Sequence, residues 1–138
     1  LLVEETIARF GTAIVIDCHS MPSALSVPDI VLGDRYGASA PPALTAWAEN
    51  AFTGAGFSIA RNSPYAGGYT TSRYGKGDGN CHALQIEINR ALYLDEDRIT
   101  KRPVFESVRA RLTRAMEFLT AIPLSQLGSP GQLPQAAE

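Results

Sequence analysis

The fold is decided by the stretch Thr12–Cys18, which has the sequence TAIVIDC. Its apolar residues follow one another almost without interruption and end in polar ones, as in a parallel strand covered on both faces. A second long strand is predicted at His82–Arg90, and shorter strands are predicted at Asp29–Leu32 and Phe57–Arg61. His19 directly follows the first of these strands, which makes it a candidate for a functional position.

Helices are predicted between and around these strands. One ends at Gly11, one begins at Pro41–Pro42 and one begins at Pro103, and in each the apolar residues recur at helical spacing. Because strands alternate with helices, the sequence predicts an α/β fold with a mostly parallel sheet flanked by helices. We place the domain at residues 1–122 and expect residues 123–138 to form a polar, flexible tail.

Length, charge and cysteine content restrict the class of protein. The chain has 138 residues, 45% of them hydrophobic, which fits one globular domain. A net charge of −2 gives no electrostatic reason to expect nucleic acid or an anionic membrane as a partner. The apolar runs are too short to cross a bilayer. Two cysteines without a disulfide framework predict reduced, buried thiols and a cytoplasmic protein.

Glu87 is the most informative polar residue, because it lies between Ile86 and Ile88 in an otherwise apolar strand. A carboxylate there is costly unless it is paired, hydrogen-bonded or close to a metal. One interpretation is a general base or acid in catalysis. The alternative is a structural ion pair with an arginine such as Arg61 or Arg35.

The two histidines occupy different kinds of position. Asp17 and His19 are two residues apart and therefore share a face, where an imidazole is either a metal ligand or a structural capping group. His82 is five residues before Glu87, so the two side chains face apart. A metal-free pairing of Cys81 with His19 stays open as a weaker nucleophile-and-base alternative.

The segment from Arg61 to Tyr69 is rich in hydrogen-bond donors. Arg61 offers a fork for a carboxylate, Asn62 and Tyr69 add directional donors, and Gly67–Gly68 lets the backbone approach a ligand. The whole stretch 62–80 lacks a core pattern and is predicted to be a functional or mobile loop. The alternative is a solvated glycine-rich loop with an ordinary surface arginine.

Four motifs together resemble a known family. In order along the chain they are Ile16–Pro22 (IDCHSMP), Asp29–Gly37 (DIVLGDRYG), Ala60–Tyr69 (ARNSPYAGGY) and His82–Arg90 (HALQIEINR). They resemble the N-formylglutamate amidohydrolase (deformylase) family, which is related to the zinc carboxypeptidase-like hydrolases. The resemblance extends from Ile14 to about Glu96 and implies a phosphorylase/hydrolase-like α/β fold.

The resemblance also implies roles for residues at the site. His19, followed by a serine, matches a ligand of zinc or another divalent metal, and Glu87 matches the general base. From their positions beside these residues, we expect Asp17, Ser20 and His82 to play supporting roles around the site.

The resemblance also implies a second group of residues, which would bind the carboxylates of the substrate. Arg61 and Asn62 are the closest matches, and Tyr69, Arg35 and Arg73 are further candidates.

The implied reaction is metal-dependent hydrolysis of N-formyl-L-glutamate to formate and L-glutamate, which the family links to histidine breakdown. The implied partner is a small N-acyl amino acid, and the oligomeric state stays open. The family's first metal-binding motif lies upstream of these residues, whereas His19 is the first histidine here. We therefore expect the C-terminal part of an amidohydrolase domain that, alone, binds zinc weakly and is inactive.

Two alternatives to this function are kept. One is a related zinc exopeptidase or deacylase that acts on another N-acyl amino acid or peptide. The other is a non-catalytic module that binds carboxylates.

Overall fold

The structure is a computed structural model that describes residues 2–23, 27–76 and 79–127. Its helices and strands alternate along most of the chain. In order they are α1 (Leu2–Phe10), β1 (Ala13–Met21), β2 (Ile30–Gly33), α2 (Pro42–Gly54), β3 (Ile59–Arg61), α3 (Tyr69–Tyr74), β4 (Cys81–Asn89), β5 (Leu94–Asp95), β6 (Thr100–Lys101) and α4 (Phe105–Thr120), with 3₁₀ turns at Arg90–Leu92 and Leu124–Leu127.

The main sheet has the strand order β1-β4-β2-β3. Strands β1 and β4 are parallel, as are β2 and β3, but β2 runs antiparallel to β4. The predicted α/β fold with a mostly parallel sheet is thus confirmed. The strand ends nevertheless do not all meet at one edge. Instead Leu32 pairs with both Arg61 and Ile86, so the end of β3 lies level with the middle of β4.

The sheet has one apolar face, which packs against α2 and α4. Its core includes Leu32, Leu84 and Ile86 from the strands, with Phe52 from α2 and Leu119 from α4, and all five are at most 1% exposed. Because side chains alternate along a strand, the residues between them on β1 and β4 project from the opposite face. We call this opposite face the polar face because it holds Asp17, His19, Gln85 and Glu87, although buried apolar residues such as Met21 and Ala83 also lie on it.

Helix α1 ends where the sequence predicted. Gly11 has a φ of 81° and its N–H donates to the carbonyl of Ile7 at 2.8 Å, which is a left-handed C-terminal cap. Strand β1 then runs three residues beyond the predicted Cys18, to Met21. His19 therefore lies within the strand rather than after it, so the strand register fixes its direction.

Two predicted irregular segments contain structure. The stretch 62–80 includes helix α3, whose Thr71 is fully buried and donates to the carbonyl of Gly68. In the predicted tail, residues 124–127 form a 3₁₀ turn that places Leu127 in the core, and residues 128–138 lie outside the described part. No helix in the described ranges is long and apolar enough to span a membrane.

Candidate active site

The site lies on the polar face of the β1–β4 pair. In the parallel register His19 is opposite Glu87, and Asp17 is opposite Gln85. Opposite residues of neighbouring strands project to the same face, and the strands are about 4.8 Å apart. Four polar side chains are thereby gathered on one surface, as the sequence predicted for Asp17 with His19.

Glu87 is buried and hydrogen-bonded, with only 7% of its surface exposed. Its Oε1 accepts a 2.7 Å hydrogen bond from Nε2 of Gln85. No arginine or lysine of the described residues forms an ion pair with it; Arg61, the predicted structural partner, pairs with Glu49 instead. Among the described residues, the alternative of a structural ion pair between Glu87 and an arginine is therefore wrong. A buried carboxylate without a counter-ion is the arrangement expected of a functional group.

His19 is accessible, with 49% of its side chain exposed, and its Nε2 lies 3.0 Å from Oδ1 of Asp17. A carboxylate in that position orients an imidazole, as is usual around metal ligands. A zinc site needs three protein ligands of this kind. Within the described ranges, however, no group of three His, Cys, Asp or Glu side chains is arranged so that it could hold a metal ion. The donor atoms are of the right type, but their number falls short of a complete zinc site.

Ser20 and His82 take part in other contacts. Ser20 accepts a hydrogen bond from Nε of Arg90 at 3.3 Å, which ties the end of β1 to the residue that follows β4. His82 is buried, and its Nδ1 donates to the carbonyl of Lys76 at 3.1 Å. Burial lowers the pKa of His82, which keeps the ring neutral. As its spacing predicted, His82 faces away from Glu87, and the structure does not bring the two together.

Arg61 is turned toward helix α2. Its guanidinium is paired with the carboxylate of Glu49, and both side chains are partly exposed. Arg61 pairs with Leu32, which belongs to the apolar face of the sheet. The guanidinium therefore lies on the side of the sheet opposite to Glu87.

Asn62 uses its side-chain amide within the fold. Its Oδ1 accepts from the backbone N–H of Asp34 at 3.0 Å and of Tyr36 at 3.3 Å, and its Nδ2 donates to Asp34 at 2.8 Å. These bonds hold Arg35, Tyr36 and Gly37, which all have left-handed φ angles, at 52°, 57° and 84°. The amide predicted to bind substrate thus joins two of the sequence motifs to each other.

Asp34 is at the centre of this junction and is buried. Burial alone raises the pKa of its carboxyl group. Hydrogen bonds from Thr45, Asn62 and Gly37, together with the nearby charge of Arg61, outweigh that effect, so the pKa is lowered overall. Asp34 therefore stays ionised and holds the turn in place.

The three remaining candidates for substrate binding lie around Gly67–Gly68. Arg35 packs its stem on Gly67, where an added Cβ would be 3.1 Å from its Cγ. Tyr69 follows Gly68 and is 78% exposed. Arg73 is one turn further along α3 and lies over the ring of Tyr74, 5.5 Å from its centroid. Arg35 thus contacts Gly67 and Tyr69 follows Gly68, whose N–H donates to Gln85 of β4.

The strand register excludes the alternative in which Cys81 and His19 act together as nucleophile and base. His19 is opposite Glu87, whereas Cys81 is opposite Ala13, six residues back along β4 and about 20 Å away at about 3.3 Å per residue. Burial raises the pKa of the Cys81 thiol, and partial shielding of the thiol from water together with the charge of Asp17 raises the pKa of Cys18, which disfavours the reactive thiolate in both. The prediction that both cysteines are buried is also wrong, since Cys18 is exposed.

Sequence reasoning missed Gln85. Its Oε1 accepts from the N–H of Gly68 at 2.7 Å while its Nε2 donates to Glu87, so it connects the glycine turn to the carboxylate. The signal was the two-residue spacing from Glu87 in an apolar strand, because residues at that spacing share a face.

The chain is similar to known proteins over most of its length. The family model described as N-formylglutamate amidohydrolase matches residues 2–94, which include every candidate site residue. The chain belongs to the N-formylglutamate amidohydrolase family. It is 34% identical over 123 residues to the N-formylglutamate deformylase of Pseudomonas aeruginosa, covering 83% of this chain and 46% of that protein. Against the N-formylglutamate deformylase of Pseudomonas putida it is 33% identical over 95 residues, covering 64% and 36%.

A solved structure of the same family shares the fold. The crystal structure of N-formylglutamate amidohydrolase from Ralstonia eutropha JMP134 superposes with a TM-score of 0.77 and 31% sequence identity, covering 86% of this chain and 46% of that one. The chain thus spans about half the length of the family members that it matches.

Proposed function

We propose that this chain carries the general-base side of an active site that hydrolyses the amide bond of N-formyl-L-glutamate to formate and L-glutamate. The observation that carries the proposal is the Glu87 carboxylate, which is buried, has no ion-pair partner in the part of the chain that the structure describes, and is in register with the accessible His19. The names of the relatives support the choice of substrate.

Glu87 acts on water and on the leaving amine. It accepts a proton from the water whose oxygen attacks the formyl carbon, and it passes that proton to the nitrogen as the C–N bond breaks. Formate keeps the water oxygen and glutamate leaves with its amine protonated.

His19 is the metal ligand that this chain would contribute, with Asp17 orienting its ring. A zinc ion held there would polarise the formyl carbonyl and make its bound water more acidic. The described residues contain no group of three side chains that could hold the ion, so zinc dependence stays a prediction. The cytoplasmic location and the link to histidine breakdown are likewise predictions.

Arg35 is the preferred partner for a substrate carboxylate, because its guanidinium is in no ion pair among the described residues, whereas Arg61 is already paired with Glu49. Tyr69 and Arg73 are secondary candidates. We expect Arg35→Ala to raise KM about tenfold and to change kcat little, as measured by formate release. A smaller effect than that of Arg61→Ala would reverse this order.

The decisive experiment measures formate release by the intact native protein, loaded with zinc, from N-formyl-L-glutamate. N-acetyl-L-glutamate and short peptides serve as comparators. Turnover of the formyl compound alone supports the proposal. Preferred turnover of a comparator would indicate a related deacylase or exopeptidase, and the absence of any turnover would indicate a carboxylate-binding module.

A further inference from the structure

Gln85 lies between two groups that are both fixed by the fold. It is 5% exposed on the polar face of β4, two residues before Glu87. One end of its amide accepts from the Gly68 N–H and the other end donates to Oε1 of Glu87, each at 2.7 Å.

We propose that Gln85 is the positioning residue of the base, and that it leaves Oε2 of Glu87 as the atom that accepts the proton. This inference rests on the proposed function of Glu87 as a general base. Gln85 acts only through Glu87, because the two ends of its amide are engaged by Gly68 and Glu87.

The direction of the Gln85 amide is set by the backbone. A glutamine side chain has one end that only accepts and one that only donates. Because a peptide N–H can only donate, Gly68 must face Oε1, which leaves Nε2 to face the carboxylate. The order of the two ends therefore follows from the contact itself.

The position of the Gly68 N–H is fixed as well. An added Cβ on Gly33 would be only 2.8 Å from the backbone of Ala66 and Gly67, so this turn rests directly on β2. Thr71 donates to the Gly68 carbonyl at 2.9 Å and holds the other side of the same residue. The sheet thus supports Glu87 in two ways: directly through β4, and through the turn at Gly67–Gly68 that contacts Gln85.

The Gln85 amide is a neutral hydrogen-bond donor to one oxygen of Glu87. One hydrogen bond from an amide offsets part of the cost of burying the carboxylate and restricts its rotation. It leaves Oε2 with no hydrogen-bond partner among the described residues. That oxygen is available to accept a proton from water.

The kinetic test compares two buried amides of β4. Gln85→Leu in the intact zinc-loaded protein is expected to lower kcat about 10- to 100-fold, with KM unchanged within about twofold. Asn89→Leu is the matched control, because Asn89 is also buried on this strand and face but bonds to Pro28 and Ala91 rather than to Glu87. A comparable loss of kcat in the control would overturn the proposal.

A double variant separates positioning from general stabilisation. Added to Glu87→Gln, the Gln85→Leu change is expected to alter the remaining rate by less than about twofold, since there is then no base to position. A further tenfold loss would show that Gln85 acts independently of Glu87.

A measurement without turnover covers variants that fold poorly. In the wild-type protein the side-chain amide protons of Gln85 should give distinct NMR signals that exchange slowly with water, and Glu87→Ala should free them. Rapid exchange of the Gln85 amide protons in the wild-type protein would contradict the proposal. If the wild type releases no formate, the proposed function fails, and the NMR result alone decides whether Gln85 holds Glu87.

Discussion

The two faces of the β1–β4 pair bury side chains of opposite character. On one face Leu84 and Ile86 pack into the core with the helices. On the other face Gln85 and Glu87 are almost as well buried, yet they are held by hydrogen bonds. The comparison teaches that burial serves two purposes on a single strand. Apolar burial supplies stability, whereas polar burial fixes a direction at some cost in stability.

Removing the charge on the polar face should give the largest effect. We expect Glu87→Gln to lower kcat on the order of 10²- to 10⁴-fold and to leave the unfolding midpoint almost unchanged, because glutamine still accepts from Gln85. Formate release and thermal unfolding measure the two quantities. The matched control is Glu106→Gln, which removes an exposed carboxylate paired with Arg109. Near-normal activity of Glu87→Gln would mean that the base is another residue.

The neighbouring change on the apolar face should do the reverse. Leu84→Ala is expected to lower the free energy of unfolding by about 2–5 kcal/mol, since Leu84 is fully buried in the core. Denaturant titration gives this value, and kcat measured well below the unfolding midpoint should stay within about twofold. A specific loss of kcat in a folded Leu84→Ala protein would show that the two faces are not separable.

The turn that contacts Gln85 should be sensitive to an added methyl group. Gly67 has a φ of 121°, and an added Cβ would be 2.5 Å from Oγ1 of Thr71. We expect Gly67→Ala to cost about 1–3 kcal/mol of unfolding free energy. Gly54→Ala is the control, because no atom lies within 4 Å of its Cβ position and its φ is not in the left-handed region. Equal stability of the two variants would contradict this account.

The smallest effect concerns acid stability. The folded pKa of Asp34 is lowered, so the unfolded chain binds the proton more readily, and the stabilisation by Asp34 is present above its ordinary pKa of 3.8. It is lost as the pH falls through the lower, folded value. The difference in unfolding free energy between wild type and Asp34→Asn should therefore be constant near neutral pH and shrink below about pH 4. A difference that stays constant to lower pH would exclude this contribution.

Local sequence patterns correctly predicted the strands and the face of the sheet on which each side chain lies. The apolar runs predicted β1 and β4. The two-residue spacing correctly predicted that Asp17 and His19 lie on the same face of the sheet, and the five-residue spacing correctly predicted that His82 and Glu87 lie on opposite faces. The direction of β2 and β3 had no such signal, because short apolar strands look alike in either direction. The antiparallel pairing of β2 with β4 could therefore not be predicted from the sequence.

Contacts between residues that are far apart in the sequence were harder to predict. Nothing near Asn62 in the sequence indicates that its amide holds the turn after Asp34, or that Glu49 takes up Arg61. Helix α3 was missed because it is only six residues long and is tied down by one buried threonine rather than by an apolar stripe. Such contacts depend on the tertiary fold, which spacing rules do not contain.

The direct pairing of His19 with Glu87 restricts how this protein can change in length. An insertion or deletion of one residue within β1 or β4 would turn one of the two side chains to the opposite face and expose a core residue at the same time. The connection from Pro22 to Asp29 carries no such constraint, since neither His19 nor Glu87 lies in it. Homologous sequences should therefore vary in length between the strands and keep the strands themselves free of gaps.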